Sequence, residues 1–453
     1  MKYLVKITFI ILVAGFLNSC DDFLEIAPVT EISSANFFQT QEDAEAAIVG
    51  CFDALQPDSY YGFDIYIYGD VRSDNCFAGG DNLNNFAIDN FTERATNENI
   101  TRTWRQIYLG IGRANTVIGR VGAMDPSVFD EGIQDRILGE AYFLRGLHYF
   151  NLVRLWGSVP LVLSETTSLD EDVINVGLTP EEDIYAQILL DFEMAQQLLP
   201  AALLPGRLSK GSAEAYLAST ELTLGNFDEV ERWTAQVMTR GFQLLPNFED
   251  LFNQQNENNS EVIFSVQYTG GAEGNVFPEL VLPVPEASFE FLKFNTPTPN
   301  SIAAFEAGDV RQATSFTERD GTLFIFKWRN GEAFASPDDN IIMRYADVLL
   351  MRAEALNQLN RTSEAIDLLN QIRNRAQLPD YSGPEDVTDV DEAIFNERRV
   401  ELMYEGQRWF DLRRRGFQVA AAAILEAKGI TITEAQLDFP IPQEEIDRNP
   451  NLN

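Results

Sequence analysis

A mainly α-helical repeat superhelix, interrupted by one loop-rich insertion with short strands, is the fold class this sequence predicts. Three observations predict it. Apolar residues recur at helical spacing in runs between Glu42 and Arg415. One helix–turn–helix plan occurs twice, at residues 209–240 and 345–376. Between those blocks, residues 248–340 lose the helical period and carry prolines at 278, 283, 285, 297 and 299.

The chain opens with Lys2 and Lys6, followed by an apolar run from Ile7 to Leu17. That run is far shorter than the roughly 20 residues a membrane-crossing helix needs, so it reads as a signal peptide. It closes on Leu17, Asn18, Ser19 and Cys20, which resembles the lipobox of bacterial lipoproteins, where the cysteine is acylated and becomes the new N-terminus. An ordinary secretory leader with a coincidental cysteine is the competing reading. Asp21 and Asp22 follow directly and resemble the surface-export signal of Bacteroidetes lipoproteins. Residues 1–19 are therefore read as a leader, 20–40 as a lipidated tether, and 41–453 as a single domain. Its scaffold is expected at about 41–247 and 341–453, with the insertion at about 248–340.

Glu42 to Leu55 reads as a helix with Ala44, Ala47, Ile48 and Cys51 on one face. Residues 57–98, rich in Gly, Asn, Asp and aromatics, show no helical period. Tyr60, Tyr61, Tyr66 and Tyr68 could offer an aromatic platform, but Ile65 and Ile67 among them suggest a strand. The period resumes from Thr103 to Val121, and it is strongest from Gly132 to Trp156, where the apolar stripe is too wide for a surface helix. In the repeated plan Ala218 matches Ala353, Leu224 matches Leu359 and Glu229 matches Glu364, with Pro246 and Pro379 after the second helices. Such pairs resemble tetratricopeptide units. Each leaves an apolar face that only a neighbour can cover, so about eight helices should stack. Pro180 to Leu199 and Ala393 to Arg415 supply further members, while Val262–Tyr268 and Leu323–Trp328 read as strands of the insertion.

The 70 acidic and 33 basic residues give a net charge of −37, which argues against a nucleic-acid partner. Hydrophobic residues make up 45%, enough for a large core. Besides Cys20 there are only Cys51 and Cys76. A disulfide between them would contribute on the order of 3 kcal/mol, and two separately buried thiols fit the sequence equally well. There is no CxxC, and His148 is the sole histidine, set in a helical run as a packing residue. No metal or cofactor is expected.

Four segments carry a family resemblance: Gly139–Arg145 running on to Leu155, Trp156, Gly157, Val159 and Pro160; Arg344–Asn357 leading to Arg373, Arg375 and Ala376; Glu397–Arg414 with Glu405, Gly406, Arg408, Trp409 and Asp411; and the terminal Pro440, Ile441, Pro442, Glu445, Asn449, Pro450 and Asn451. In this order they resemble the SusD/RagB family of Bacteroidetes outer-membrane lipoproteins. The resemblance implies a tetratricopeptide scaffold that docks on a SusC-like TonB-dependent transporter at the cell surface. Variable loops would hold an oligomeric nutrient, glycan first and peptide as the alternative. A non-binding helical-repeat adaptor is a further alternative. The alternating Arg and Glu of these segments are expected to form buried ion pairs between helices.

Histidine-dependent triads and GxSxG are missing from the sequence, though 70 carboxylates always leave some close pair. The chain reads as a binder and not an enzyme. Sugar capture needs flat aromatic faces beside amides, carboxylates and guanidiniums. Asp74, Asn75, Phe77, Asp81, Asn82 and Phe86 have that composition, as do Tyr268, Phe289 and Phe291, and Arg319 and Trp328. The family offers no fixed ligand motif to carry over, and Trp328, alternating with Phe324 and Phe326, also fits a core-facing strand.

Overall fold

The computed structural model describes residues 37–289 and 293–452. The leader, Cys20 and Phe291 lie outside the described residues. Twelve described helices have seven residues or more: α1 (Gln41–Asp53), α2 (Leu83–Asp89), α3 (Glu98–Gly122), α4 (Ile133–Trp156), α5 (Glu181–Leu198), α6 (Lys210–Leu224), α7 (Phe227–Val237), α8 (Tyr345–Gln358), α9 (Thr362–Arg375), α10 (Val387–Glu401), α11 (Arg408–Arg414) and α12 (Phe417–Lys428). From α3 to α10 each long helix packs on the next, and α7 packs directly on α8 although the whole insertion separates them in sequence. The two repeat blocks thus form one continuous stack. Ala218 and Ala353, matched by sequence, are both fully buried, as close helix packing requires. No described helix is long and apolar enough to cross a membrane.

Helix α4 is the axis of the N-terminal half. From Ala141 to Trp156 all residues except Tyr142 are buried, so neighbours cover the helix on all sides. Its His148 stacks beside Tyr60, whose hydroxyl lies 3.3 Å from the ring Nδ1. Burial pushes the imidazole down to about 3, which keeps it neutral. Gly110 of α3 makes room for this ring, since a Cβ there would stand 2.2 Å from His148 Nε2.

The structure corrects three sequence expectations. Helix α3 starts at Glu98, five residues before the predicted start, because Asn97 caps it by accepting from the amides of Asn99 and Ile100. Residues 64–71 form a helical turn and a short π-helix instead of a strand, and Tyr60, Tyr61, Tyr66 and Tyr68 are all buried. The expected helix over 393–415 begins at Val387 and breaks at 402–407, where Tyr404 and Gly406 take positive φ. The cause is distant in sequence: a Cβ on Gly69 would fall 2.0 Å from the Gly406 carbonyl oxygen, so two backbones meet there without side chains. Asp70 accepts the Gly406 amide at 2.8 Å and fixes the contact. Cys51 and Cys76 are separate buried thiols.

Among the described residues, eight short strands form four antiparallel pairs. β1 (Cys76–Ala78) pairs with β5 (Asn295–Pro297), and β2 (Val159–Pro160) with β3 (Leu178–Thr179). β6 (Phe316–Arg319) and β7 (Thr322–Ile325) form a hairpin, and β4 (Val262–Val266) pairs with β8 (Asn340–Arg344). The β4–β8 pair joins the beginning of the insertion to its end, and β8 runs straight into α8.

Ion pairs bind the insertion to the stack. Arg344, at the end of β8 and 1% exposed, contacts Glu261 at 3.1 Å, Glu405 at 2.9 Å, and Glu401. Arg375 of α9 reaches the same Glu261 and Glu401, and Arg311 of the insertion reaches Glu401 at 2.9 Å and Asp309 at 2.7 Å. Lys327 holds Glu405. Burial opposes charge on Glu401, but Arg375, Arg344 and Arg311 overcome it and hold the carboxyl well below its usual range. Breaking one member of such a network leaves an uncompensated buried charge. Arg344→Met should therefore destabilise the protein by about 3–5 kcal/mol in chemical denaturation, whereas Arg361→Ala at an exposed helix start should leave the midpoint unmoved.

Candidate functional site

The β1–β5 ladder begins one lip of a loop cluster. Its register sets Cys76 opposite Pro297 and Phe77 opposite Thr296. Strand alternation sends Cys76 into the core and leaves Phe77 partly exposed. The next residue but one has no room for a side chain, because a Cβ on Gly79 would stand 1.8 Å from the Lys293 carbonyl oxygen. The Gly79 amide donates to the Phe294 carbonyl at 2.9 Å, pinning the loop. Asn82 then caps α2 by accepting the Asn84 amide. Helix α2 packs on β1 and brings the partly exposed Phe86 to the same region as Phe77, with Asp81 exposed between them. Beneath, the buried Lys428 points its ammonium at the Phe77 ring from 5.7 Å and binds Asp89.

Four residues with a ligand-binding composition are engaged inside the fold. Asp74 accepts from Arg408 at 2.8 Å and lies 3.1 Å from Arg399, while Asn75 accepts from Arg399 at 3.0 Å. Burial works against ionisation of Asp74, yet these arginines hold its carboxyl below the usual range. Tyr268 is 6% exposed and donates its hydroxyl to the Gln56 carbonyl. Trp328 is 5% exposed, donates to Asn340 and meets the rings of Tyr66 and Phe277 edge-on. The structure thus gives Asp74, Asn75, Tyr268 and Trp328 supporting roles behind the surface, a correction to their reading as contacts.

The second lip contains a residue that the sequence did not single out. Phe289 and Phe334 stack with centroids 5.7 Å apart and planes 24° apart, and they are 39% and 38% exposed. The buried Glu279 carboxylate sets their backbones, accepting from the amides of Ser288 at 2.6 Å, Phe289 at 2.8 Å and Ala333 at 3.0 Å. Glu332, Ala333 and Phe334 follow one another at φ 49°, 52° and 71°. Left-handed backbone costs roughly 1–2 kcal/mol per non-glycine residue, and strain of this kind clusters at binding surfaces. With no glycine or asparagine at 332–334, no residue-type signal marks the turn.

Arg319 stands exposed at the end of β6, beside the Asp320–Gly321 turn, whose two positive φ values suit a tight hairpin. It donates to Thr317 at 2.8 Å and lies 6.0 Å from the Phe326 ring. Strands β5 and β7 are in contact, so the hairpin adjoins the first lip through Lys293 and Phe324, 5.2 Å apart. The accessible groups of the cluster are therefore aromatic faces, amides and guanidiniums on rigidly anchored loops. Aromatic faces offer stacking, and amides and guanidiniums offer hydrogen bonds to hydroxyl groups. Gly79→Ala should separate β1 from β5, read as faster exchange of the amide at position 79 and a lower melting temperature.

Comparison with known proteins gives concordant results. A family model described as "SusD family" matches residues 311–453, and one described as "Starch-binding associating with outer membrane" matches residues 22–222. SusD-like protein P2 of Formosa agariphila is 29% identical, covering 99% of this chain and 98% of the relative. Among solved structures, a SusD superfamily protein from Bacteroides vulgatus superposes with a TM-score of 0.82 at 24% identity, covering 92% of this chain and 99% of the other. A laminarin-binding SusD-like protein superposes with a TM-score of 0.78 at 26% identity, covering 91% and 98%.

Proposed function

The chain belongs to the SusD/RagB family, and on that premise we propose that it captures an oligosaccharide at the outer-membrane surface and passes it, unaltered, to a SusC-like TonB-dependent transporter. The carrying observation is the accessible rings on anchored loops: the partly exposed Phe77 and Phe86 with Asp81 and Asn82 on the first lip, the stacked Phe289–Phe334 pair on the second, and the exposed Arg319 on the hairpin whose strand β7 contacts β5. Stacking a sugar on such rings needs no chemistry from the protein. Capture close to a pore raises the local ligand concentration. The laminarin-binding relative supports a glycan as ligand.

A lipid on Cys20 would hold the chain at the membrane, in keeping with the family description that names the outer membrane. The transporter would meet the helical half. The segment between α4 and α5 carries Leu169 at 88% exposure, with Val173, Ile174 and Leu178 also exposed. Apolar side chains gathered in this way mark a surface that a partner covers.

Titration of the mature chain against glycan and peptide panels tests the ligand class. Phe77→Ala and Phe86→Ala should each weaken glycan affinity about tenfold, about 1.4 kcal/mol, without shifting the melting temperature. Unchanged affinity in both would refute the first lip as a contact surface. For the anchor, Cys20→Ala should move the protein from the detergent phase to the aqueous phase in a partition assay, and retention in detergent would overturn the assignment.

A further inference from the structure

Ala393, Asn396, Glu397 and Val400 recur at three- and four-residue intervals and so share one face of α10. That face is one wall of a cavity of about 860 Å³, closed by α9, the loop 379–383 and residues 304–311, which shares no lining residue with either lip. Small-molecule sites typically span roughly 300–1,000 Å³. Arg399, on another face of α10, reaches Asp74 and Asn75 beneath the first lip, so one helix serves two separate regions. The remaining walls are pinned. Arg373 of α9 donates through Nε to the Pro379 carbonyl at 3.0 Å, and Asn370 accepts the Tyr381 amide at 2.7 Å. The Tyr381 hydroxyl donates to the Pro384 carbonyl at 2.8 Å. Across the cavity, both Glu306 carboxylate oxygens accept from Arg373, at 2.6 and 3.2 Å.

Two polar groups in these walls keep spare bonding capacity. A guanidinium carries five N–H donors, and Arg373 commits four of them, to Pro379, twice to Glu306, and to Glu397 at 3.2 Å. One Nη2 hydrogen is left over. Glu397 is 4% exposed, and its Oε1 lies 2.6 Å from Arg311 Nη1 without accepting a hydrogen bond. A spare donor thus stands beside a spare acceptor. A hydroxyl both donates and accepts, so it suits this pair. Glu306, Asp380 and Glu397 repel an anion, while Arg311 and Arg373 repel a cation. Leu369, Val400 and the partly buried Tyr381 ring supply apolar surface next to the polar pair, which suits the C–H face of a sugar ring. We propose that this cavity is a second carbohydrate subsite, which takes a neutral sugar unit and holds one of its hydroxyls between Arg373 and Glu397. The inference rests on the glycan reading above and adds a site to it. Arg311 also reaches Glu401, so the subsite is built on the ion network and is set in place before a ligand arrives.

Hydrogen exchange of the mature chain, with and without saturating maltohexaose or laminarihexaose, tests it. At least one of these neutral sugars should slow exchange in the loop 379–383. It should do so equally in the double variant Phe77→Ala, Phe86→Ala, in which the first lip is disabled. Asn396 is exposed at the rim, and Asn396→Trp should fill the cavity. Protection of 379–383 by sugar should then disappear, with protection of 77–86 and the melting temperature unchanged. Ser382→Trp places the same block on the opposite rim, which keeps the test intact if the first variant disturbs α10. Protection of 79–86 and none of 379–383 would overturn the second subsite and leave the glycan reading standing. Protection of neither region by either sugar would overturn both.

Discussion

The buried charge network around Arg344 and Glu401 is the constraint from which the rest of the architecture follows. Its members come from every part of the downstream chain: Glu261 from the start of the insertion, Arg311 and Lys327 from its middle, Arg344 from its end, Arg375 from α9 and Glu401 from α10. Phe248 lies against Lys327, Arg344 and Arg375 and shields them from water. Taking these ions out of water is costly, and a well-packed apolar core is often as stable. What charge supplies here is geometry, because each guanidinium accepts only a few arrangements of carboxylate around it. An insertion made mostly of loops has little secondary structure to fix its placement, and the ion network fixes it instead.

The break between α10 and α11 serves the same end. By interrupting the helix at 402–407, the chain presents Glu401 and Glu405 from a bend, so that both reach Arg344. The bend exists because Gly69 and Gly406 can touch. One glycine contact between the N-terminal third and the C-terminal quarter thus determines where two carboxylates point. From Arg399 and Arg408 the same region extends to Asp74 and Asn75, beneath the first lip. Scaffold and first lip are therefore joined by ion pairs and hydrogen bonds from Arg399 and Arg408 to Asp74 and Asn75.

How much of this was legible depended on whether the signal was local. The stacked helices were, because the 3.6-residue period of 132–156 and the paired alanines 218 and 353 record burial directly in the sequence. The aromatic run 60–68 was not. It is buried on every side, so alternation carries no information about which backbone conformation it takes. At the candidate site the difficulty lay in long-range partners. Asp74 and Phe77 belong to one polar-aromatic stretch, yet Arg408, more than three hundred residues away, draws the first inward, while strand alternation turns the second outward. Phe334 had no local mark at all, since its position depends on Glu279 and on a left-handed turn built from ordinary residues.

The antiparallel pairing of β4 with β8 has a wider meaning. Because Val262 sits opposite Arg344 and Val266 opposite Asn340, the excursion leaves the helical frame and re-enters it at one point. Closing a longer or shorter excursion between fixed ends changes the chain entropy only slowly. The frame is thus tolerant of what is spliced between those strands. A change in the length or composition of the excursion is thereby confined to the loops it carries, and leaves the packing of α7 on α8 undisturbed.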